Sequence, residues 1–319
     1  MRKDLVLGFD IGGTSTRALL ATMDGTPAGT GRAGGGNPTS HGVEASIAAI
    51  GAAAREALGD TDPARVRAGH LGLAGGQPYE EPGNRARLDH LWTALGLDAP
   101  FAVDIDLTVA FAAATPTPDG TVAIGGTGAI AAAVEQRRLT RRADGYGWLL
   151  GDEGSGFWLG RQAARTALKA VDGFLPTGPL AEAVIAEAWP HPRRPAIREL
   201  VDVLARRPPL ELAAYAPLVT AAAGAGDPQA TAILDEAARL LSATIASIRD
   251  DSADTPIVLG GSLLTAGTPV GASVRARLAE LFPTATIHTA RDGAAGAAWL
   301  AALPYLADPE AAHKAFTGA

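Results

Sequence analysis

Cysteine is absent from the 319-residue sequence. Its absence excludes disulfide bonds, thiolate zinc sites, cysteine-ligated iron–sulfur clusters and cysteine nucleophiles. Histidine is scarce, and the six histidines lie too far apart for a local metal-binding motif, at positions 41, 70, 90, 191, 288 and 313. We therefore expect each histidine to lie at the surface or to be hydrogen-bonded within the fold.

Basic residues are outnumbered, with 27 Lys and Arg against 34 Asp and Glu and a net charge of −7. Nucleic acids and acidic membranes bind positive surfaces, so we expect a soluble partner of modest size instead. The sequence has no uncharged run of 18 apolar residues long enough to cross a bilayer. Glycines and Asp10 interrupt its apolar start too soon for a signal peptide, which predicts a cytoplasmic protein.

The sequence is 47% hydrophobic and 19% charged, which is typical of a globular protein, and its length suggests two domains. Its opening stretch, LVLGFDIGGTSTRALL, predicts a strand ending in Asp10, a tight turn through Gly12, Gly13 and Thr14, and a second strand. Glycines let successive N–H groups converge on an anion, and Asp10 beside a phosphate favours a magnesium nucleotide. The alternative is an ordinary glycine-rich hairpin.

The first part of the chain predicts the order βββαβαβα. After the two opening strands, further strands are expected at about 27–32, 70–74 and 101–105. Helices are expected between and after them, at about 43–58, 84–95 and 107–114. The segment VAIGGTGAIAAAV, residues 122–134, then repeats the pattern of strand, Gly-Gly-Thr turn and strand. This repeat predicts an α/β protein with two duplicated lobes and both Gly-Gly-Thr turns, 12–14 and 125–127, facing one cleft. We place the lobes at 1–115 and 116–319, with helical insertions in the second and a last helix that packs back on the first.

A glycine-rich loop with two tryptophans and two carboxylates precedes a helix in DGYGWLLGDEGSGFWLG, residues 144–160. Carboxylates accept paired hydroxyl hydrogen bonds and glycines let the backbone approach a ligand, so the loop suits a polyhydroxylated molecule. The alternative is that Asp152, Glu153 and Ser155 only cap the helix that begins near Gly156.

Asp106 lies where a predicted strand gives way to a helix, the usual place for ligand contacts in a doubly wound sheet. Transfer of a phosphoryl group to a sugar hydroxyl needs a proton acceptor, and Asp106 suits that role. It would otherwise be the N-cap of the helix from Leu107. Asp104, two residues earlier on the strand, is the competing candidate.

Several motifs together resemble the N-acetylglucosamine kinase branch of the BadF/BadG/BcrA/BcrD-type ATPases, in the actin-like sugar kinase superfamily. The resemblance spans nearly the whole chain, and GDEGS followed by an aromatic residue is its most specific part. The matching segments are GFDIGGTSTRALL, the loop residue Asn37, LGLAGG at 71–76, the helix at Asp106, ATPTPDGTVAIGGTG at 114–128 and GWLLGDEGSGFWLG at 147–160.

The resemblance implies two actin-like (ribonuclease H-like) lobes with an interlobe cleft that closes on ATP, Mg²⁺ and an amino sugar, and phosphorylation of the sugar's 6-hydroxyl. It makes Asp106 the catalytic base, and Asp10 would contact Mg²⁺ through water. The implied sugar-binding residues are Asn37, Asp106, Gly145, Gly147 and Asp152. The implied ATP-binding residues are Gly12, Gly13, Thr14, Gly126, Thr127, Gly128, Gly260, Gly261 and Ser262. It also implies a homodimer.

Two departures from the family pattern concern the sugar. The residues after Asn37-Pro38 lack an expected aromatic, and Tyr146 replaces a tryptophan. The resemblance makes N-acetylglucosamine the first candidate substrate. Because these departures leave the 2-substituent of the sugar open, glucosamine, another hexose or a muramic-type sugar are the alternatives. The alternative hypothesis is a protein that is not an enzyme: a sugar-sensing switch that binds ATP and changes shape without phosphorylating a small molecule.

Overall fold

The computed structural model describes residues 4–250, 253–265 and 267–318. Their strands are β1 (Leu5–Ile11), β2 (Thr16–Thr22), β3 (Pro27–Ala33), β4 (Val66–Leu73), β5 (Phe101–Asp104), β6 (Gly120–Gly125), β7 (Ala129–Glu135), β8 (Arg138–Asp144), β9 (Ile257–Gly260) and β10 (Ile287–Thr289). Their α-helices are α1 (Pro38–His41), α2 (Val43–Leu58), α3 (Pro82–Ala94), α4 (Asp106–Ala112), α5 (Gly156–Val171), α6 (Pro179–Ala188), α7 (Ile197–Ala205), α8 (Ala216–Gly224), α9 (Pro228–Ala246), α10 (Ser262–Thr265), α11 (Pro269–Leu281), α12 (Gly293–Ala302) and α13 (Pro309–Thr317).

Within the described residues the strands form two five-stranded sheets with the same topology. The first has the order β3-β2-β1-β4-β5, and the second, taken from its other edge, has the order β8-β7-β6-β9-β10. If the five strands of each sheet are numbered along the chain, both sheets have the order 3-2-1-4-5. β1 is antiparallel to β2 and parallel to β4, so the first sheet is mixed. The predicted α/β duplication is therefore confirmed.

The chain divides into two compact units. The first unit contains the residues up to Gly120, Val134–Leu139 and the residues from His288 onward, and the second contains Thr121–Ala133 and Thr140–Ile287. We predicted a single boundary after residue 115 and a last helix that packs back on the first lobe. Among the described residues, no helix combines the length and the apolar character needed to cross a bilayer.

The alternating sequence of β1 separates two apolar layers in the first unit. Leu5, Leu7, Phe9 and Ile11 belong to the core beneath α2 and α3, whereas Val6 belongs to the core formed with α4 and α12. A Cβ added to Gly8 would lie 2.2 Å from the Ala298 backbone nitrogen, so only glycine lets α12 lie this close to β1. Asp10 follows the same alternation and points to the α12 side of the sheet.

The core of the second unit lies among its sheet and helices α5, α6, α8, α9 and α11. The apolar stripe that predicted a long helix after Asp227 is buried there, including Leu234, Ala237 and Leu241. Asp227 begins this helix by accepting hydrogen bonds from the Gln229 and Ala230 amides at 2.8 and 3.1 Å.

The structure differs from the predicted elements in four places. β8 was not predicted because its sequence, RLTRRAD, has no apolar alternation, and α13 was not predicted either. The sequence GGGNPTSHG, residues 34–42, is rich in glycine, proline and serine and predicts a loop, but one turn of helix, α1, lies inside it. The helix that the alanine-rich sequence of 213–223 predicts is present as α8, but it begins three residues later, at Ala216, after a 3₁₀ segment, Pro209–Tyr215. Pro217 lies in the first turn of α8, where a helix tolerates proline.

Candidate active site

Asp10 lies at the carboxyl end of β1, directly before the turn through residues 12–14. Arg17 faces it across the β1–β2 ladder, and the two side chains form an ion pair. Burial raises the pKa of Asp10, the Asp292 carboxylate raises it further, and Arg17 opposes both. Three charged groups therefore meet at this end of the sheet.

The turn after Asp10 is closed by a hydrogen bond from the Gly12 amide to the Ser15 carbonyl at 2.9 Å. Gly13 and Thr14 are exposed at its tip. Within the part of the chain that the structure describes, the N–H groups of Gly13 and Thr14 donate no hydrogen bond. Unpaired amides at the tip of a turn can bind an anion.

Asp106 is the first residue of α4, and its Oδ1 accepts a hydrogen bond from the Leu107 amide at 3.0 Å. Protein atoms surround the carboxyl closely, although part of the residue is accessible to solvent. Burial, and after it the negative charge of Asp10, raises the pKa of Asp106 to about 6. A carboxyl group with this pKa accepts a proton near neutral pH better than an ordinary aspartate does.

Asp104, the competing candidate, has a different environment. Its side chain is 48% exposed, and its Oδ2 lies 3.0 Å from the Nε2 atom of buried His70. Among the described residues, His70 Nε2 has no hydrogen-bond partner. The buried carboxyl next to Asp10 is that of Asp106, and this difference favours Asp106 as the base.

Asn37 lies beside the Gly12 turn. Its amide donates to the Gly12 carbonyl at 3.2 Å, and its Oδ1 caps α1 by accepting from the Thr39 and Ser40 amides at 2.9 and 3.1 Å. Its Nδ2 group donates no hydrogen bond within the described chain. The first unit thus brings together Asp10, the 12–14 turn and Asn37, with Asp106 close to Asp10.

The second unit contains the other two predicted nucleotide turns. β6 and β9 are parallel neighbours, with Ile124 opposite Gly260, so the turns that follow them lie at the same edge of the sheet. Gly261 has φ of +80°, and a Cβ on it would lie 2.4 Å from the Gly125 carbonyl oxygen. The 260–262 turn therefore packs directly against the strand that leads into the 126–128 turn.

The Gly126–Gly128 turn also contacts the glycine-rich loop. The Gly156 amide donates to the Gly126 carbonyl at 2.8 Å and the Phe157 amide to the Thr127 carbonyl at 3.0 Å. Asp152 Oδ1 accepts from the Ala129 amide at 3.1 Å, immediately after the turn. The structure thereby joins the predicted phosphate turn of the second unit to a predicted sugar-binding residue.

Asp152 is buried with a left-handed backbone, φ of +57°, which is uncommon outside glycine. Burial raises the pKa of its carboxyl, and the Asp144 charge adds to this effect. The helix cap belongs to Ser155, whose Oγ accepts from the Trp158 amide at 3.2 Å. Asp152 is thus not needed to cap α5, which weakens the capping alternative.

Asp144 fixes the backbone on the other side of this loop. Its two carboxylate oxygens accept from the amides of Asp152 and Glu153, at 2.7 and 2.9 Å. A Cβ on Gly151 would lie 2.2 Å from Asp144 Oδ1, so glycine is required there. Gly145 and Gly147 follow Asp144 with φ of +72° and +82°.

Comparison with known proteins places this chain in a family. Residues 7–301 match the BadF/BadG/BcrA/BcrD ATPase family. The chain belongs to this family. The chain is 26% identical to the N-acetyl-D-glucosamine kinase of Dictyostelium discoideum over 315 residues, which is 94% of this chain and 98% of that protein.

Two further proteins are similar to this member of the family. The N-acetylmuramic acid/N-acetylglucosamine kinase of Clostridium acetobutylicum is 28% identical over 169 residues, covering 52% of this chain and 54% of that protein. A crystal structure of a candidate N-acetylglucosamine kinase from Chromobacterium violaceum superimposes with a TM-score of 0.72 at 27% identity, covering 93% of this chain and 98% of that one. The similarity to kinases thus covers nearly all of the chain.

Sequence reasoning did not identify several residues that shape the site of this family member. Arg17 faces Asp10, Asp292 lies near it and Asp144 binds the loop amides. The pairing of Arg17 could have been found from the hairpin, since a two-strand register places residues equally distant from the turn opposite each other. Asp292 gave no such signal, because tertiary packing brings it to Asp10 from the far end of the chain. Asp144 binds amides only eight and nine residues later, but no motif in the loop sequence indicates that contact.

Proposed function

We propose that this protein is an ATP-dependent kinase that transfers a phosphoryl group to the 6-hydroxyl of an amino sugar, with N-acetylglucosamine as the first candidate. The observation that carries this proposal is Asp106, a buried carboxyl with a pKa of about 6 at the end of the first sheet. The matching relatives named as N-acetylglucosamine kinases support the substrate class.

Asp106 would act as the base of the transfer. The sugar hydroxyl oxygen forms a bond to the terminal phosphorus of ATP, the bond from that phosphorus to the bridging oxygen of ADP breaks, and the hydroxyl proton passes to the Asp106 carboxylate. General base catalysis of this kind contributes about 10²–10⁴ in rate. Most of the remaining acceleration in phosphoryl transfer comes from positioning and from stabilisation of charge.

The residues around Asp10 fit a magnesium ion bound together with nucleotide phosphates. Mg²⁺ usually takes only one or two protein carboxylates and retains several waters. The described residues contain no group of three or more His, Asp or Glu side chains placed to hold a metal, and Asp10 lies directly before the turn through Gly12, Gly13 and Thr14. Mg²⁺ would neutralise phosphate charge there, and Arg17 would restrain the Asp10 side chain.

The two Gly-Gly-Thr turns would supply backbone donors for the phosphates. In the second unit, as in the first, the amides at the turn tip, those of Thr127 and Gly128, donate no hydrogen bond to a described residue. Fixed N–H groups stabilise phosphate charge without reorganisation during the reaction. The Gly260-Gly261-Ser262 turn, which packs against the end of β6, would contact the adenosine.

Asp152 and Asn37 would bind sugar hydroxyls with the groups that the fold leaves unpaired. Asp152 uses Oδ1 for the Ala129 amide, so Oδ2 can accept from a hydroxyl. Asn37 uses Oδ1 for the α1 cap, so its Nδ2 group can donate. The backbone around Gly145 and Gly147 would approach the ring. We further infer a cytoplasmic homodimer, since ATP is a cytoplasmic substrate and the family resemblance favours a dimer.

The test is a coupled assay of ADP release across N-acetylglucosamine, glucosamine, N-acetylmuramic acid, N-acetylmannosamine and glucose, with ³¹P and ¹³C NMR of the product to identify the phosphorylated oxygen. We expect the highest kcat/KM for N-acetylglucosamine and a phosphate on O6. Protein with Asp106→Asn is the matched control for contaminating kinases. Nucleotide binding without sugar-stimulated ADP release would favour the sensing switch and contradict the proposal.

A further inference from the structure

The segment 34–42 forms hydrogen bonds with two carbonyl groups of the first Gly-Gly-Thr turn, those of Gly12 and Gly13. The amides of Gly36 and Asn37 donate to the Gly12 carbonyl oxygen, at 3.0 and 3.2 Å. The Nε2 atom of His41 lies 2.7 Å from the Gly13 carbonyl oxygen. Since a carbonyl oxygen only accepts hydrogen bonds, Nε2 carries the hydrogen in this contact.

These bonds determine where the turn's own N–H groups point. A peptide unit is planar and trans, so its C=O and its N–H point in opposite directions. The carbonyl of Gly13 shares a peptide unit with the amide of Thr14, and the carbonyl of Gly12 shares one with the amide of Gly13. His41 therefore fixes the direction of the Thr14 N–H, while the backbone of residues 36 and 37 fixes that of Gly13.

We propose that His41 is a positioning residue for the nucleotide: by binding the Gly13 carbonyl, it aims the Thr14 N–H at a nucleotide phosphate. The inference rests on the proposed function, because it assigns His41 to the nucleotide side of that site. Hydrogen bonding at the carbonyl also polarises the peptide unit and makes its N–H a better donor.

The surroundings of His41 keep it in this position. A Cβ on Gly35 would lie 2.1 Å from the Gly13 carbonyl oxygen and 2.6 Å from His41 Nε2, so the contact requires glycine at position 35. The α1 turn that carries His41 is capped by Asn37, and the Thr39 hydroxyl anchors it to the Gly75 carbonyl at 2.8 Å. His41 itself is exposed, so this contact is not needed to fill the core.

The test compares three substitutions of His41. The amide nitrogen of glutamine can take the place of Nε2, whereas that of asparagine can reach only the place of Nδ1. We expect His41→Ala and His41→Asn to raise the KM for ATP, and the Kd for a non-hydrolysable ATP analogue by calorimetry, at least fivefold. The KM for the sugar should change less than twofold, and His41→Gln should stay within twofold of the unsubstituted protein in every constant.

The control is His90→Ala, at an exposed histidine on α3 that has no described hydrogen bond. Unfolding midpoints of all variants separate a loss of folding from a loss of binding. Unchanged nucleotide affinity in His41→Ala, equal losses in the Gln and Asn variants, or equal effects on sugar and nucleotide would each overturn the proposal. If the unsubstituted protein phosphorylates no sugar, the proposed function fails, and the calorimetry with the ATP analogue still decides the role of His41.

Discussion

The carboxyl of Asp106 on α4 lies close enough to that of Asp10 on β1 for the charge of Asp10 to raise its pKa. Burial makes the larger contribution, and together they bring the pKa to about 6. The carboxyl of Asp106 can therefore exchange a proton near neutral pH, and the Asp10 carboxylate, which is paired with Arg17, contributes to its pKa.

The activity should depend on the ionisation of Asp106. A base must be deprotonated, so kcat/KM should rise with pH and level off above a pKa of about 6. Because the Asp10 charge raises this pKa, Asp10→Asn should shift the rise to lower pH in addition to lowering activity. A pH–rate profile of both proteins checks this, and an unmoved midpoint in the variant would contradict the coupling of the two carboxyls.

Asp106→Asn should abolish most turnover while leaving sugar binding measurable. Removal of a general base costs about 10²–10⁴ in rate, so we expect kcat to fall at least a hundredfold. Asp104→Asn is the matched control, because that side chain is half exposed and should reduce kcat far less. Turnover near that of the unsubstituted protein in Asp106→Asn would remove Asp106 from the mechanism.

The same Asp106→Asn substitution should stabilise the fold at neutral pH. A carboxyl whose pKa rises from 3.8 to about 6 on folding costs about 3 kcal/mol above pH 6, and this cost disappears below pH 4. The variant should therefore gain up to about 3 kcal/mol at pH 7 and almost nothing at pH 3.5. Urea unfolding at both pH values measures the difference. A change in the free energy of unfolding that is the same at both pH values would argue against a raised pKa of Asp106 in the folded protein.

Asp152→Ala should weaken sugar binding more than it affects nucleotide binding. The loss should appear in calorimetry with the sugar, because Oδ2 is the part of Asp152 that is free to accept a hydroxyl. Asp152→Asn is the matched variant: it can keep the bond to the Ala129 amide but has no charge, so a sugar affinity between those of the other two proteins is expected. Sugar affinity unchanged in Asp152→Ala would leave the residue with only a structural role.

His313 should make the stability of the first unit depend on pH in the opposite sense to Asp106. Its Nε2 lies 2.7 Å from the Ala112 carbonyl oxygen, which ties α13 to the end of α4, and burial lowers its pKa below the ordinary 6.5. The unfolded chain then binds the proton more readily, so this contribution to stability is complete above pH 6.5 and is lost as the pH falls. His313→Gln retains a donor that does not titrate, and its unfolding free energy should decrease less between pH 7 and pH 5. Parallel curves for the two proteins would contradict this.

Local sequence patterns predicted much of the fold because they involve nearby residues only. The apolar run in LVLGFDI predicted β1, and the helical spacing after Val43 predicted α2 with its observed bounds. The same reasoning missed β8, because an edge strand rich in charged residues has no such apolar pattern. At 213–223 it predicted a helix that begins later than expected, at Ala216, because the preceding residues belong to a 3₁₀ segment.

Residue type and short spacing were enough to predict the two Gly-Gly-Thr turns, the glycine-rich loop around Asp152, and Asp106 between a strand and a helix. The packing of distant segments was needed to find that Asp106, and not Asp104, is the enclosed carboxyl beside Asp10, and that Asp292 lies near Asp10 as well. The physical reason is that burial and charge–charge distance depend on segments far apart in the chain. A residue's pKa and free hydrogen-bonding groups are therefore set by packing that no local pattern contains.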